Sequence, residues 1–154
     1  MFRRLFGGKK KRDIQTIKAE YLEQVNKSIS QGVTRQALNN EYLKMKFEIH
    51  DPEFREKIKA RDLVVRELGG VMLDRNMKGK ELENAGNIDE AIPLYEANLI
   101  DQFMGTHPYE RLRIIYRSRK DYENAIRVCQ SAIDNPHFRK DKKPHFQKWI
   151  DKMR

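Results

Sequence analysis

Two stretches of this chain repeat each other at an offset of 34 residues. Gly86-Asn87-Ile88-Asp89-Glu90-Ala91-Ile92-Pro93-Leu94-Tyr95 aligns with Lys120-Asp121-Tyr122-Glu123-Asn124-Ala125-Ile126-Arg127-Val128-Cys129, so Ala91 meets Ala125 and Ile92 meets Ile126. Self-similarity at that period belongs to chains built of stacked helix–turn–helix units. It constrains the fold strongly, because one such unit cannot bury its apolar face alone.

The rest of the sequence reads as helix too, and no strand-like alternation occurs. Ile14, Ile17, Tyr21, Leu22, Val25 and Ile29 recur at spacings of three and four, and Gln31-Gly32 stops the helix they predict. Thr34 caps a second helix whose apolar face is Leu38, Tyr42, Leu43, Met45 and Ile49. Asp51-Pro52 reads as an N-cap with proline at the first helical position, ahead of Phe54, Ile58, Leu63, Val64, Val65 and Leu68. Gly69-Gly70 reads as a break or tight turn. Asn87 with Glu90 forms a capping-box start. Asp121 opens another helix, Pro136 ends it, and Phe146, Trp149, Ile150 and Met153 mark a last amphipathic segment.

The residues of 72–136 resemble two tandem tetratricopeptide repeats. Gly79 and Leu82 sit where that family places a small and a large apolar residue on its first helix, helix A. Tyr109, Leu112 and Tyr116 take the aromatic or leucine positions of the second unit, Ala132 the second small position, and Pro136 follows. Small residues at Ala91 and Ala125 let helix B approach helix A, while Leu82, Tyr95, Leu112 and Tyr116 fill the space between. Gly86 supplies the left-handed turn from A to B. Departures are Lys120 for the second turn glycine, Arg75 for the usual Trp, Lys78 for the usual Leu, and Pro93, which should kink its helix.

The resemblance implies an all-α helical-repeat fold: antiparallel helix hairpins, six or seven helices, a short solenoid. Residues 1–12 form a flexible basic head, 13–70 an N-terminal helical region packed on the repeats, and 71–154 the repeats with a C-terminal capping helix. Trp149 of that cap is expected on the preceding helix B. The resemblance also implies a groove lined by helix A residues. In the first unit these are Asn76, Lys80, Glu83 and Asn84; in the second, Glu110, Arg111, Ile114, Arg117 and Ser118. Lys80, Arg111 and Arg117 could pair with acidic side chains or a terminal carboxylate. The Lys/Asn set that clamps a C-terminal carboxylate in chaperone adaptors is not matched, since Asn76 and Lys80 stand in the opposite order.

Charge gives a competing reading. Of the net +9, residues 1–12 hold six basic residues and no acid, and residues 139–154 hold seven basic residues and two acids, leaving the middle at −2. The basic head (Arg3, Arg4, Lys9, Lys10, Lys11, Arg12), with Phe2, Leu5 and Phe6, could touch an anionic membrane, each cation contributing about 1 kcal/mol. A nucleic-acid tail, a nuclear-type address at Lys9-Lys10-Lys11-Arg12 and a plain disordered tail are the other readings.

Catalytic constellations are missing. His50, His107, His137 and His145 are scattered without zinc spacing, and His107, before Pro108, reads as a surface or capping residue. The single cysteine, Cys129, excludes an internal disulfide and reads as a buried inert thiol. Glu81, Glu83, Asp89 and Glu90 read as solvated acids. No apolar run approaches a membrane span, and the mean hydropathy is −0.88. The expectation is a cytoplasmic, non-enzymatic adaptor or small regulator with no metal or cofactor, holding a protein or peptide in its groove. The alternative is an electrostatic binder of nucleic acid or anionic membrane through its basic ends. A homodimer covering the edges of a short stack is compatible with either.

Overall fold

The computed structural model describes residues 11–154. Among them are seven α-helices, one short 3₁₀ turn and no strand. The helices are α1 (Ile14–Ser30), α2 (Arg35–Lys44), α3 (Phe54–Asn84), α4 (Ile88–Ile100), α5 (His107–Ser118), α6 (Tyr122–Asp134) and α7 (Lys143–Met153), with the 3₁₀ turn at Lys140–Lys142. No helix among the described residues is long and apolar enough to cross a membrane.

Local chemistry explains most of the boundaries. Asp13, Thr34 and Asp121 cap α1, α2 and α6, accepting from the backbone N–H of Thr16, Ala37 and Asn124. Asn87 precedes α4 but makes no side-chain cap bond. Four helices end in the same double hydrogen bond around a left-handed residue. Gly32, Gly86, Gln102 and Lys120 have φ of 88°, 83°, 55° and 60°. Each donates to the carbonyl three residues back, and the next residue donates five back: Gly86 N to Glu83 O and Asn87 N to Leu82 O, then Lys120 N to Arg117 O and Asp121 N to Tyr116 O. Lys120 thus takes the glycine conformation at a cost of about 1 kcal/mol.

Three expectations give way. Gly69-Gly70 is no break: α3 runs through it for 31 residues. Each helical glycine costs about 1 kcal/mol, and burial of Leu68 and Met72 on either side outweighs that. The boundary drawn at 70/71 therefore falls inside one helix. Second, α2 stops at Lys44, so Met45 and Ile49 leave its apolar face; Leu43 and Ile49 are 57% and 77% exposed. The chain turns away there because Arg61 of α3 donates to Met45 O at 3.0 Å and lays its guanidinium over Phe47. Third, α3 starts at Phe54, and Asp51 instead holds the turn before it by accepting from Glu53 N at 2.8 Å. Pro93 lies inside α4, which continues to Ile100.

Packing follows chain order. α1 and α2 pack on the first half of α3, and α3 through α7 pack each on the next. Val25, Leu38, Tyr42, Val64 and Leu68 form one core. Ala91, Tyr95, Tyr109, Leu112, Val128, Cys129, Ala132, Phe146 and Ile150 belong to the other, with Leu82, Tyr116 and Trp149 partly buried against it. The two cores are joined by α3 and by a buried polar hub. At the end of α4, Asp101 accepts from Arg75 and Arg35. Asn98 donates to Met72 O and Asn76 Oδ1, and Asn135 donates to Gln102 O, Phe103 O and the Tyr109 hydroxyl.

Candidate functional site

A cleft opens where the end of α3, the start of α4 and the start of α5 meet. Lys80, Glu83, Asn84, Ile88, His107 and Arg111 line it. Helical spacing brings them there: 80, 83 and 84 share one face of α3, and 107 and 111 share one face of α5.

Glu83 organises the cleft. Its carboxylate accepts from the Tyr95 hydroxyl at 2.6 Å and is bridged by Arg111, with N–O distances of 2.5 to 3.1 Å. Burial alone would raise its pKa, but the bonds from Arg111 and Tyr95 prevail and hold it below the ordinary carboxylate range. Burial, then the hydrogen bond to Glu83, pushes the Tyr95 phenol up. Glu83 is thus a partly buried structural anion, not the solvated acid its position on α3 indicated.

His107 is half-buried, its ring edge-on to Tyr95 at 5.5 Å, and its Nε2 is buried without a hydrogen-bond partner. Burial lowers its pKa below the imidazole norm, Glu83 opposes this, and Arg111 and Lys80 add to it. A base whose folded pKa is depressed costs stability as pH falls below its unfolded value, about 6.5. The melting temperature should therefore drop between neutral and mildly acidic pH by more in the native chain than in His107→Gln. Equal drops in the two would remove His107 as the cause.

With His107 neutral, the cleft carries Lys80 and Arg111 against Glu83. Arg111 is spent on Glu83. Lys80 is exposed and has no ion pair among the described residues. The cleft can therefore offer one open ammonium, the Asn84 amide and the Ile88 side chain to a visiting group. Glu83 already serves two donors and is no free base. Among the described residues no three His, Cys, Asp or Glu side chains converge as metal ligands would.

The expected groove is divided. Lys80, Asn84, Glu83 and Arg111 come together here. Asn76 is turned inward, its Oδ1 accepting from Asn98 at 2.9 Å. Glu110 and Arg117 face α7: Glu110 pairs with Arg113 at 2.6 Å and meets His145 Nε2 at 2.5 Å. Arg113 and Arg117 stack on the Trp149 ring, 4.1 and 4.7 Å from its centroid. Lys152 of α7 itself lies 4.8 Å from the same centroid, so the cation partners of Trp149 come from α5 and α7. Ile114 is 40% exposed.

Of the basic head, Arg3, Arg4, Lys9 and Lys10 lie outside the described residues. Lys11 pairs with Glu56 at 2.7 Å, and Arg12 clamps Glu53 at 2.7 Å and also Glu20. The Arg12 hydrogen bond brings the Glu53 carboxyl down to about 2. These two cations are tied to α1 and the start of α3. Cys129 is buried, and burial lifts its thiol to about 11, far from a reactive thiolate.

His107 and Ile88 were not among the expected groove residues. The signal for His107 was present, since it stands four residues before Arg111 on one helix. Compared with protein-family models, with curated proteins and with solved structures, the chain matches none.

Proposed function

We propose that the chain is a non-enzymatic, tetratricopeptide-like adaptor that holds an acidic segment of a partner protein at the Lys80 cleft. The observation that carries this reading is the cleft itself. It lies between two helices that the 34-residue repeat places in equivalent positions, and it presents an open cation, an amide and an apolar side chain together. Support for the repeat reading comes from the matched turns at Gly86 and Lys120 and from Ala91 and Ala125, both fully buried where the helices meet.

Such a cleft suits recognition. An exposed ammonium contributes little alone, about 0–1 kcal/mol, but gains when a bound segment excludes water around it. The arginines of the expected groove are poor probes. Reversing Arg111 would strand Glu83, and reversing Arg117 would unstack Trp149. Lys80→Glu changes charge without breaking an ion pair or side-chain hydrogen bond among the described residues.

The immobilised full chain should retain a protein from native lysate at moderate salt. Lys80→Glu should retain on the order of tenfold less, a loss of about 1.4 kcal/mol. Lys78→Glu, on the same helix outside the cleft, should retain as much as the native chain. Circular dichroism verifies that all three fold. Equal retention by the native chain and Lys80→Glu would remove the cleft from the binding site.

A further inference from the structure

Helix α7 presents three faces with different fates. Phe146 and Ile150 are fully buried in the core. His145 and Trp149 meet Glu110, Arg113 and Arg117 of α5. Pro144, Gln147 and Lys148 face away, and no other helix among the described residues covers them. Beside them stand Ile133 from the last turn of α6, Lys140 from the 3₁₀ turn, and Lys143. The six line a cleft of about 520 Å³ whose surface is mostly apolar.

The lysines differ in what they are free to do. Lys143 donates to Ile133 O at 2.5 Å and Asn135 O at 3.0 Å, so it caps the end of α6 and anchors α7 there. Lys140 and Lys148 are exposed and make no ion pair or side-chain hydrogen bond among the described residues. Of the acids nearby, Asp141 is paired with Arg139 at 2.8 Å, while Asp151 and Asp134 accept only from the neutral amides of Gln147 and Gln130, and residues 139–154 keep seven cations against two acids. The first ten residues of the chain contain no acid that could neutralise the lysines.

We infer that this cleft docks an acidic amphipathic helix of another protein, with an apolar side chain seated on Ile133 and Pro144 and carboxylates paired to Lys140 and Lys148. Charge complementarity selects the sign of the partner, and the apolar floor selects its kind. A nucleic acid would need exposed rings to stack on, but Phe138 and Phe146 are buried and Trp149 lies under two arginines. A membrane would need large apolar side chains to insert, and none of the exposed ones lies in residues 133–154. A helix with leucines flanked by glutamates satisfies both the floor and the rim. This surface is separate from the Lys80 cleft and stands without it.

The test uses the full chain and a fluorescent synthetic helix with leucines on one face and glutamates on the other, followed by anisotropy. The native chain should bind it. Lys140→Glu with Lys148→Glu should weaken binding on the order of tenfold or more, with an unchanged melting temperature. A peptide with serines for the leucines should bind weaker by a similar factor, whereas Lys78→Glu, outside both clefts, should leave binding unaltered. Equal binding of the serine peptide would mean bare charge attraction and would overturn the assignment of the cleft. So would binding that ignores the double reversal, or a chain that binds phosphatidylserine vesicles or oligouridylate but not the peptide.

Discussion

Replacing Gly79 by alanine is expected to destabilise the protein by about 2 kcal/mol, while the same change at Gly70, on the same helix, is expected to stabilise it by up to about 1 kcal/mol. Helix propensity acts alike at both sites and favours alanine. Packing decides the sign. A Cβ on Gly70 meets nothing within 4 Å. A Cβ on Gly79 would stand 2.6 Å from the Tyr95 ring. That ring is fully buried, its hydroxyl is bonded to Glu83, and His107 lies on its edge. It cannot swing aside without breaking the bond that helps hold the Glu83 carboxylate. Overpacking of this kind costs about 1–3 kcal/mol, and the lost bond about 1 kcal/mol more, against a propensity gain of about 1 kcal/mol. Urea unfolding of the three proteins, followed by circular dichroism, gives both signs at once. A more stable Gly79→Ala would mean that α3 and α4 are not in close contact there.

That close contact shows what a sequence can disclose about such a chain. Ala91 and Ala125 are readable because the need for a small residue recurs at the 34-residue period, whereas Gly79 is readable only from the resemblance, since Arg113 stands 34 residues after it. The turn at Lys120 is readable only through its partner at Gly86, since a lysine alone gives no sign of left-handed backbone. Periodicity fails where contacts are polar and single. Gln36, Asn98, Asp101 and Asn135 are all buried. Asp101 and Asn135 stand 34 residues apart, each just past the end of its helix, but a polar residue at a helix end reads as solvated, so their period does not disclose the hub. The groove was half legible for a related reason. Helical spacing puts Lys80 with Asn84, and His107 with Arg111, each pair on one face. It does not reveal that α7 lies over Glu110, Arg113 and Arg117 and withdraws them. Likewise Gly69-Gly70 looks like punctuation until Leu68 and Met72 are seen buried on either side, and Met45 and Ile49 keep helical spacing after the helix has ended.

The largest loss is expected from Asp101→Ala, about 3 kcal/mol. Asp101 ends α4, and its side chain is 12% exposed. One carboxylate oxygen takes Arg75 of α3 at 2.5 Å and Arg35 of α2 at 3.2 Å. Its backbone carbonyl accepts from Gln36 N at 3.2 Å, so side chain and main chain hold α2 together. Removing the carboxylate leaves two guanidinium groups facing each other without an anion. Breaking a fully buried pair costs about 3–5 kcal/mol, and the arginines here, at 26% and 22% exposure, recover part of that from water. Asp101→Asn keeps the shape and one acceptor, and should lose less. A cycle with Arg75→Met separates the pair from the rest: the double variant should be more stable than the sum of the single losses predicts, by about 1–2 kcal/mol. Because α2 meets the α4–α5 connection through these bonds, hydrogen exchange in Asp101→Ala should speed up in α2 before it does in α6. A loss below about 0.5 kcal/mol, with no coupling to Arg75, would mean that α3 and apolar contact suffice to join α1 and α2 to the helices that follow.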